Sequence, residues 1–277
     1  MNLSEMAQTL PQELLARWNL LMDYFKKQPS ALVAFSGGVD SALLCAAAYA
    51  ALGDRMLALT IHSPVESAES IEVAKAHAAQ IGFRHLVIEY NDLENPRFVA
   101  NTPERCYICK IARFEKMIEY GKREGFETLV EGTNADDMDD YRPGRKAVLE
   151  LGIQSPLLEL GFSKTEIRAL LKALGLTIWD RPSAPCFATR FPYRAPVTQE
   201  GLQQIITGEA FMRDLGFDTV RVRHHGETVK LEVDAAQFEG YITHRLQILE
   251  FFTALGFKYI TADLAGYRRG SLNEVLK

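Results

Sequence analysis

Cysteine and tryptophan are scarce in this chain, with four and two residues among 277. Four thiols over that length are too few for a disulfide-stapled scaffold, so stability must come from a buried apolar core. Long hydrophobic runs are missing as well, and none approaches the roughly 18–20 residues that a membrane-spanning helix needs. The opening stretch MNLSEMAQTLPQELL has no basic segment leading into an apolar one, so no signal peptide is expected and the location expected is cytoplasmic. An excess of positive charge is absent too. Against 31 Lys+Arg stand 36 Asp+Glu, a net charge of −5, which argues against broad binding to nucleic acid or to anionic membranes.

What is present is an ordinary globular composition, 47% hydrophobic and 24% charged, long enough for two domains of roughly 100–200 residues each. The charge is uneven. From Phe187 onward 11 basic residues balance 11 acidic ones, so the whole deficit lies in the first 186 positions. A neutral region holding several arginines points to a local anion site rather than a basic face.

Apolar residues at helical spacing (Leu14, Leu15, Trp18, Leu21, Met22, Phe25) predict an amphipathic helix over residues 11–27. Short apolar strands are then expected at Ala31–Phe35, Met56–Ile61, His85–Glu89 and Thr128–Glu131. Helices are expected between them at Ala42–Leu52, Ile71–Ile81 and Ile111–Lys122, and a capping box at Ser163–Glu166 opens one more. Strands alternating with helices imply an α/β fold on a parallel sheet. Pro182, Pro185, Pro192 and Pro196 then break the pattern, which sets the expected domains at 1–186 and 187–277. The second reads as a small α+β domain: a helix over Thr198–Leu215, a hairpin of 219–223 with 229–233, a helix over Tyr241–Leu255 and a last strand at Tyr259–Ala262.

Between the first strand and its helix lies Ser36-Gly37-Gly38-Val39-Asp40-Ser41. Glycines there let backbone N–H groups approach an anion closely, and a helix N-terminus adds its positive dipole end. The hydroxyls of Ser36 and Ser41 are donors for phosphate oxygens, and Asp40 is placed to orient those groups or to hold Mg²⁺. The loop lacks the Gly-Lys-Ser/Thr of a Walker A motif and is not G-x-G-x-x-G. The alternative is a tight strand-to-helix turn with Asp40 as a cap. Beyond the domain junction, Arg221 and Arg223 share one face of a strand. With Arg190 and Arg268 they offer guanidinium groups for a phosphate, and Thr189 adds a hydroxyl; the bland alternative is arginines paired with Glu232 or Asp234. Cys45 belongs to an Ala/Leu-rich helix and reads as packed and inert. Cys106 and Cys109 form C-x-x-C, and Cys186 lies in the Pro-rich loop; in a cytosolic chain this spacing points to metal or redox chemistry.

The hexapeptide resembles the PP-loop of the adenylating ATP pyrophosphatases. That likeness implies a doubly wound sheet, ATP and Mg²⁺ as cofactors, and nucleotide contacts at Thr60 and His62. Glu131-Gly132-Thr133-Asn134-Ala135-Asp136-Asp137 is similar to a second family segment, which implies Gly132 and Asp136 close to the nucleotide. Longer stretches resemble one branch, the LarE family of sulfur insertases in nickel-pincer nucleotide synthesis: 101–105, Asp140-Tyr141-Arg142-Pro143-Gly144, 190–193, 219–223 and 263–268. The resemblance implies adenylation of a carboxylate on a pyridinium mononucleotide followed by sulfur insertion, and a homo-oligomer such as a hexamer. Lys110 matches a family lysine near the reacting groups. One family variant sacrifices the sulfur of a lone cysteine at the position of Cys186. This chain departs from it by adding Cys106 and Cys109, and three thiolates suit a 4Fe–4S cluster with one open iron. Zinc is the alternative metal; tRNA thiolation and a non-catalytic ATP-binding module are the alternative functions. The sequence names no sulfide donor.

Overall fold

The computed structural model describes residues 3–139, 143–182 and 185–276. Asp140, Tyr141 and Arg142 of the motif quoted above lie outside the described residues. Two units divide the chain: residues 1–63, 68–90 and 106–184 form the first, and 64–67, 91–105 and 185–277 the second. The second unit therefore takes two segments from the first half of the sequence, where a linear reading had set one boundary in the Pro-rich loop.

In the first unit, β1 (Ala31–Ala34), β2 (Met56–His62), β3 (His85–Glu89) and β4 (Thr128–Val130) pair in parallel in the order β3-β2-β1-β4. Helices α1 (Leu3–Gln8), α2 (Gln12–Lys26), α3 (Val39–Leu52) and α4 (Ala68–Ile81) fall in its first part. The short α5 (Pro96–Val99) follows in the other unit, and then come α6 (Arg105–Glu124), α7 (Gly144–Glu150), α8 (Pro156–Glu159) and α9 (Lys164–Ala173). Alternation along the strands explains both faces. Ala31 and Val33 of β1, with Met56 and Ala58 of β2, pack among Trp18, Leu21, Phe25, Leu43, Leu170 and Leu171 from α2, α3 and α9. Leu32, Leu57, Leu59 and Ile61 point the other way, toward Phe114 and Met117 of α6. Helices thus cover both faces, as the unbroken apolar strands require. The capping box at Ser163 forms as the sequence indicates, with Ser163 and Glu166 bonding each other's backbone N–H.

The second unit carries α10 (Gln199–Asp214), then β5 (Val220–His225) antiparallel to β6 (Thr228–Val233). The two-residue turn between them has Gly226 at φ 66°, a conformation that glycine adopts without strain. The single helix expected over 241–255 is two, α11 (Glu239–Thr243) and α12 (Arg245–Ala254), because the His244 backbone leaves the helical region at φ −100°, ψ 12°. β7 (Tyr259–Ala262) completes a three-stranded sheet by pairing parallel to β6. Among the described residues no helix is long and apolar enough to cross a membrane.

Gly208 lets α10 approach its neighbours: a β-carbon there would lie 2.8 Å from the Phe252 ring of α12 and 3.4 Å from Val222 of β5. Gly208→Val overpacks this contact. Thermal unfolding should show it destabilised by about 1–3 kcal/mol; an unshifted melt would mean that the packing yields freely.

Candidate active site

Ser36–Ser41 runs from the end of β1 into the first turn of α3. The Ser41 hydroxyl is the hub of the loop: it accepts from Ser36 N–H at 3.2 Å, donates to Gly38 O at 3.2 Å and lies 3.1 Å from Ser36 Oγ. Gly37 sits at φ 69°, and a β-carbon on it would press on Ala74 and on Ser70 O at 3.3 Å. The loop is therefore folded back on itself with its glycines packed and its amides at a helix N-terminus, an arrangement suited to anions.

The end of β4 meets this loop. A β-carbon on Gly132 would come within 3.1 Å of Ser41 N and 3.2 Å of Asp40 Cβ, so a side chain there would require the loop to give by a few tenths of an ångström. Asp40 is held by Asn134, whose side-chain amide donates to it at 3.1 Å, and by the Lys164 ammonium. Asp136, expected beside the nucleotide, is exposed and accepts the Lys164 backbone N–H at 2.9 Å, tying the 131–137 segment to the start of α9. Among the residues expected at the end of β2, Thr60 is buried and donates to Phe35 O at 2.6 Å, while His62 Nδ1 lies 2.9 Å from Glu89. Ser63, one step on, keeps a buried hydroxyl with no hydrogen-bond partner among the described residues.

Cys106, Cys109 and Lys110 stand in the first turns of α6, which begins earlier than the apolar pattern had placed it. Three and four residues apart, they share a helix face. Cys106 is exposed and Cys109 partly buried. Lys110 reaches the buried Glu131 at 3.4 Å, its chain lying where a β-carbon on Gly144 would meet it at 2.8 Å. Glu131 also accepts from Ser155 Oγ at 2.7 Å and from Thr133 N–H at 3.0 Å. Burial pushes the Glu131 carboxyl up, but the Lys110 charge and these hydrogen bonds outweigh it and hold the group below the usual carboxylate value. Cys45 is fully buried, and burial pushes its thiol well up, so thiolate is disfavoured there.

In the second unit, Cys186 is partly buried and precedes a 3₁₀ turn, Phe187–Arg190. The Cys186 carbonyl accepts from Thr189 Oγ at 2.8 Å. Arg190 forms a two-pronged buried ion pair with Glu209 at 2.8 and 3.1 Å, so its guanidinium faces protein groups on all three nitrogens. Arg223 pairs with the buried Glu232 at 2.8 Å. Arg221, on the same strand face, differs: among the described residues it makes no ion pair, donates to Val220 O and lies 4.8 Å over the Tyr267 ring. Burial, and then the Arg190 charge, lower its pKa. Arg268 is half-exposed and pairs with Glu274 at 3.2 Å. Among the described residues no three His, Cys, Asp or Glu side chains are gathered as a metal-binding group.

Glu131, Asn134 and Lys164 enter this geometry without having been assigned roles from the sequence, and Glu232 takes the arginine partnership that the sequence offered as the alternative. Lys164 was visible only as part of a capping box, and its bond to Asp40 spans 124 positions.

A parallel sheet carrying SGGVDS at the end of its inner strand defines an ATP-using enzyme of the PP-loop class. A family model described as NAD synthase matches residues 13–136. The chain is 39% identical over 258 residues, 92% of its length and 96% of the relative's, to an uncharacterized protein of Synechocystis sp.. It is 34% identical over 245 residues to the pyridinium-3,5-bisthiocarboxylic acid mononucleotide synthase of Lactiplantibacillus plantarum, covering 88% of this chain and 89% of that one. A third relative, an uncharacterized protein of Methanocaldococcus jannaschii, is 30% identical over 250 residues, 90% and 95% of the two chains. The chain belongs to the LarE family of ATP-dependent sulfurtransferases.

Gly132→Ala drives a methyl group into Ser41 N and Asp40. ATP affinity, read by equilibrium binding, should fall about tenfold, and unchanged affinity would separate this crossing from nucleotide binding. A carboxyl whose folded pKa is lowered stabilises fully above its unfolded pKa, and that stabilisation is lost as pH falls through the folded value. Glu131→Gln should therefore flatten the acid side of the stability–pH curve measured by thermal melts, with less effect of acid on the variant than on wild type.

Proposed function

We propose that this chain adenylates a carboxylate of pyridinium-3,5-biscarboxylic acid mononucleotide and exchanges the activated oxygen for sulfur, giving the thiocarboxylate. The observation that carries this reading is the phosphate cradle, in which Gly132 backs directly onto Ser41 and Asp40 at the start of α3. Similarity to the L. plantarum synthase over nearly the whole chain supports the choice of substrate. The loop amides with Ser36 and Ser41 hold the pyrophosphate of ATP, and Asp40 and Asp136 serve Mg²⁺ that arrives with it. A substrate carboxylate oxygen attacks the α-phosphorus, the bond to the bridging oxygen breaks, and pyrophosphate leaves. A carboxylate is a poor electrophile; the acyl adenylate gives it a leaving group, so that sulfide adds at the acyl carbon and AMP departs. Lys110, held by Glu131, offsets negative charge on the acyl or phosphate oxygens as it develops.

Arg221 is our choice for the substrate phosphate, because it is a partly buried strand arginine without a carboxylate partner among the described residues; Arg268 and the Thr189 hydroxyl complete this reading. Cys106, Cys109 and Cys186 would hold the cluster. The donor chemistry fits: two thiols stand one helical turn apart and a third is partly exposed to solvent. Bound there, such a cluster would supply the sulfide that is transferred.

Anaerobic purification with iron and acid-labile sulfide analysis tests the cluster; Cys106→Ala should lose both, and wild type without iron would sink the assignment. Asp40→Ala should lower substrate-dependent pyrophosphate release about a hundredfold, or roughly 2.7 kcal/mol in the barrier. Release indifferent to that change would remove Asp40 from the chemistry.

A further inference from the structure

The turn that follows Cys186 is pinned at its start by the Phe187 N–H, which donates to Val65 O at 2.8 Å, and its carbonyl oxygens are gripped by arginine side chains. Arg190 Nη1 donates to Pro185 O at 3.0 Å and to Cys186 O at 3.2 Å. Arg105 Nη1 donates to Ala188 O at 3.0 Å, and Arg223 Nη1 to Thr189 O at 2.8 Å. All three are buried, with 2% of Arg105, 3% of Arg190 and 9% of Arg223 exposed. Behind each guanidinium stands a second anchor. Glu209 takes Arg190 on two prongs, Glu232 takes Arg223, and the Asn101 carboxamide oxygen takes Arg105. Asn101 is itself fixed, donating to Pro192 O at 2.8 Å and Ala195 O at 2.9 Å.

A buried ion pair contributes little net stability unless its geometry is good, because desolvation opposes the Coulombic gain. Two such pairs and a buried amide–arginine pair converging on six residues are therefore poorly explained by stability alone. They are well explained by geometry: in Arg190 and Arg223 a guanidinium fork anchored at one end imposes direction as well as distance on the carbonyls at its other end, and in Arg105 one planar nitrogen bridges the Asn101 anchor and the Ala188 carbonyl. With the Pro185, Cys186, Ala188 and Thr189 carbonyls all held, the backbone on both sides of the Cys186 thiol has little freedom left.

We propose that Arg105, Arg190 and Arg223, anchored by Asn101, Glu209 and Glu232, are positioning residues that fix the Cys186 backbone so that its thiol is presented in one orientation. The importance of that orientation rests on the proposed function, in which Cys186 is a cluster ligand. The clamp itself does not need that reading.

Glu209→Gln keeps the size of the anchor and removes its charge. In the full-length chain treated with a chelator, amide hydrogen exchange over 185–190 should accelerate about tenfold or more, with strands β1 to β4 unchanged. Alkylation of Cys186 by iodoacetamide, read by mass spectrometry against Cys106 of the same molecule, should rise about fivefold. A role confined to overall stability would move both cysteines together, so a shared rise overturns the proposal, as does an unchanged ratio or unchanged exchange. Arg105→Lys, which replaces the planar guanidinium bridging Asn101 and Ala188 O through Nη1 by a rotatable ammonium on a shorter side chain, should shift both readouts in the same direction and decides the matter if Glu209→Gln does not fold. Neither readout needs ATP, iron or the pyridinium substrate. A wild type that forms no thiocarboxylate thus refutes the proposed function, while the clamp stands or falls on exchange and alkylation.

Discussion

The parallel pairing of β1 with β4 is the constraint on which the nucleotide site depends. Strand order runs outward from β1 to β2 and β3 on one side and jumps to β4 on the other. Chain connections therefore leave β1 and β4 in opposite directions, the topology that in open α/β sheets puts the ligand crevice at the carboxyl ends of the strands. SGGVDS follows β1 and Glu131-Gly132 follows β4, so the pairing of Ala31, Leu32 and Val33 with Thr128, Leu129 and Val130 brings them side by side. The sheet then extends by one bridge. Gln154 pairs beside Val130 through bonds to Leu129 and Glu131, which delivers Ser155 to the Glu131 carboxylate. A three-residue strand thus sets the loop crossing, the carboxylate and the lysine that carboxylate holds.

Charge around this crevice is arranged in matched pairs. The acidic excess of the first 186 residues would suggest a negative nucleotide site, which is unfavourable for phosphates. The structure disposes of that difficulty locally: Asp40 faces Lys164, and Glu131 faces Lys110. Each carboxylate also accepts neutral hydrogen bonds, from Asn134 in one case and from Ser155 and Thr133 in the other. Such bonds fix the orientation of each carboxylate independently of its lysine.

The strands and their helices were legible because a sheet covered on both faces demands unbroken apolar runs, and the observed ends differ from the pattern by a few residues. The phosphate loop was legible because its chemistry is local: glycine for close approach, hydroxyls for donation, a helix start for the dipole. Partnerships across the chain were not. Nothing near Asp40 announces Lys164, and nothing near Arg105 announces Ala188, 83 positions away. The helical start at Arg105 was hidden too, because Cys106, Cys109 and Lys110 read as chemistry and interrupt the apolar periodicity. His244 broke a helix whose composition gives no warning of it.

Arg221 and Arg223 show how far side-chain spacing carries an argument and where it ends. Period-two geometry places both on one face of β5, and their neighbours then separate them. Glu232, opposite Arg221 in the register, turns its carboxylate to Arg223 instead. Arg223 is thereby neutralised and committed to Glu232, Ser271 and the Thr189 carbonyl. Arg221 lost much of its hydration on folding without gaining an ion-pair partner among the described residues, and its neighbour Arg190 adds positive charge nearby. A cation in that condition has already met its desolvation cost, so the phosphate assigned to it in the proposed function would gain the charge-assisted hydrogen bonds without repeating it. The position of a single glutamate thus commits one arginine of the strand to the protein and leaves the other without a carboxylate among the described residues.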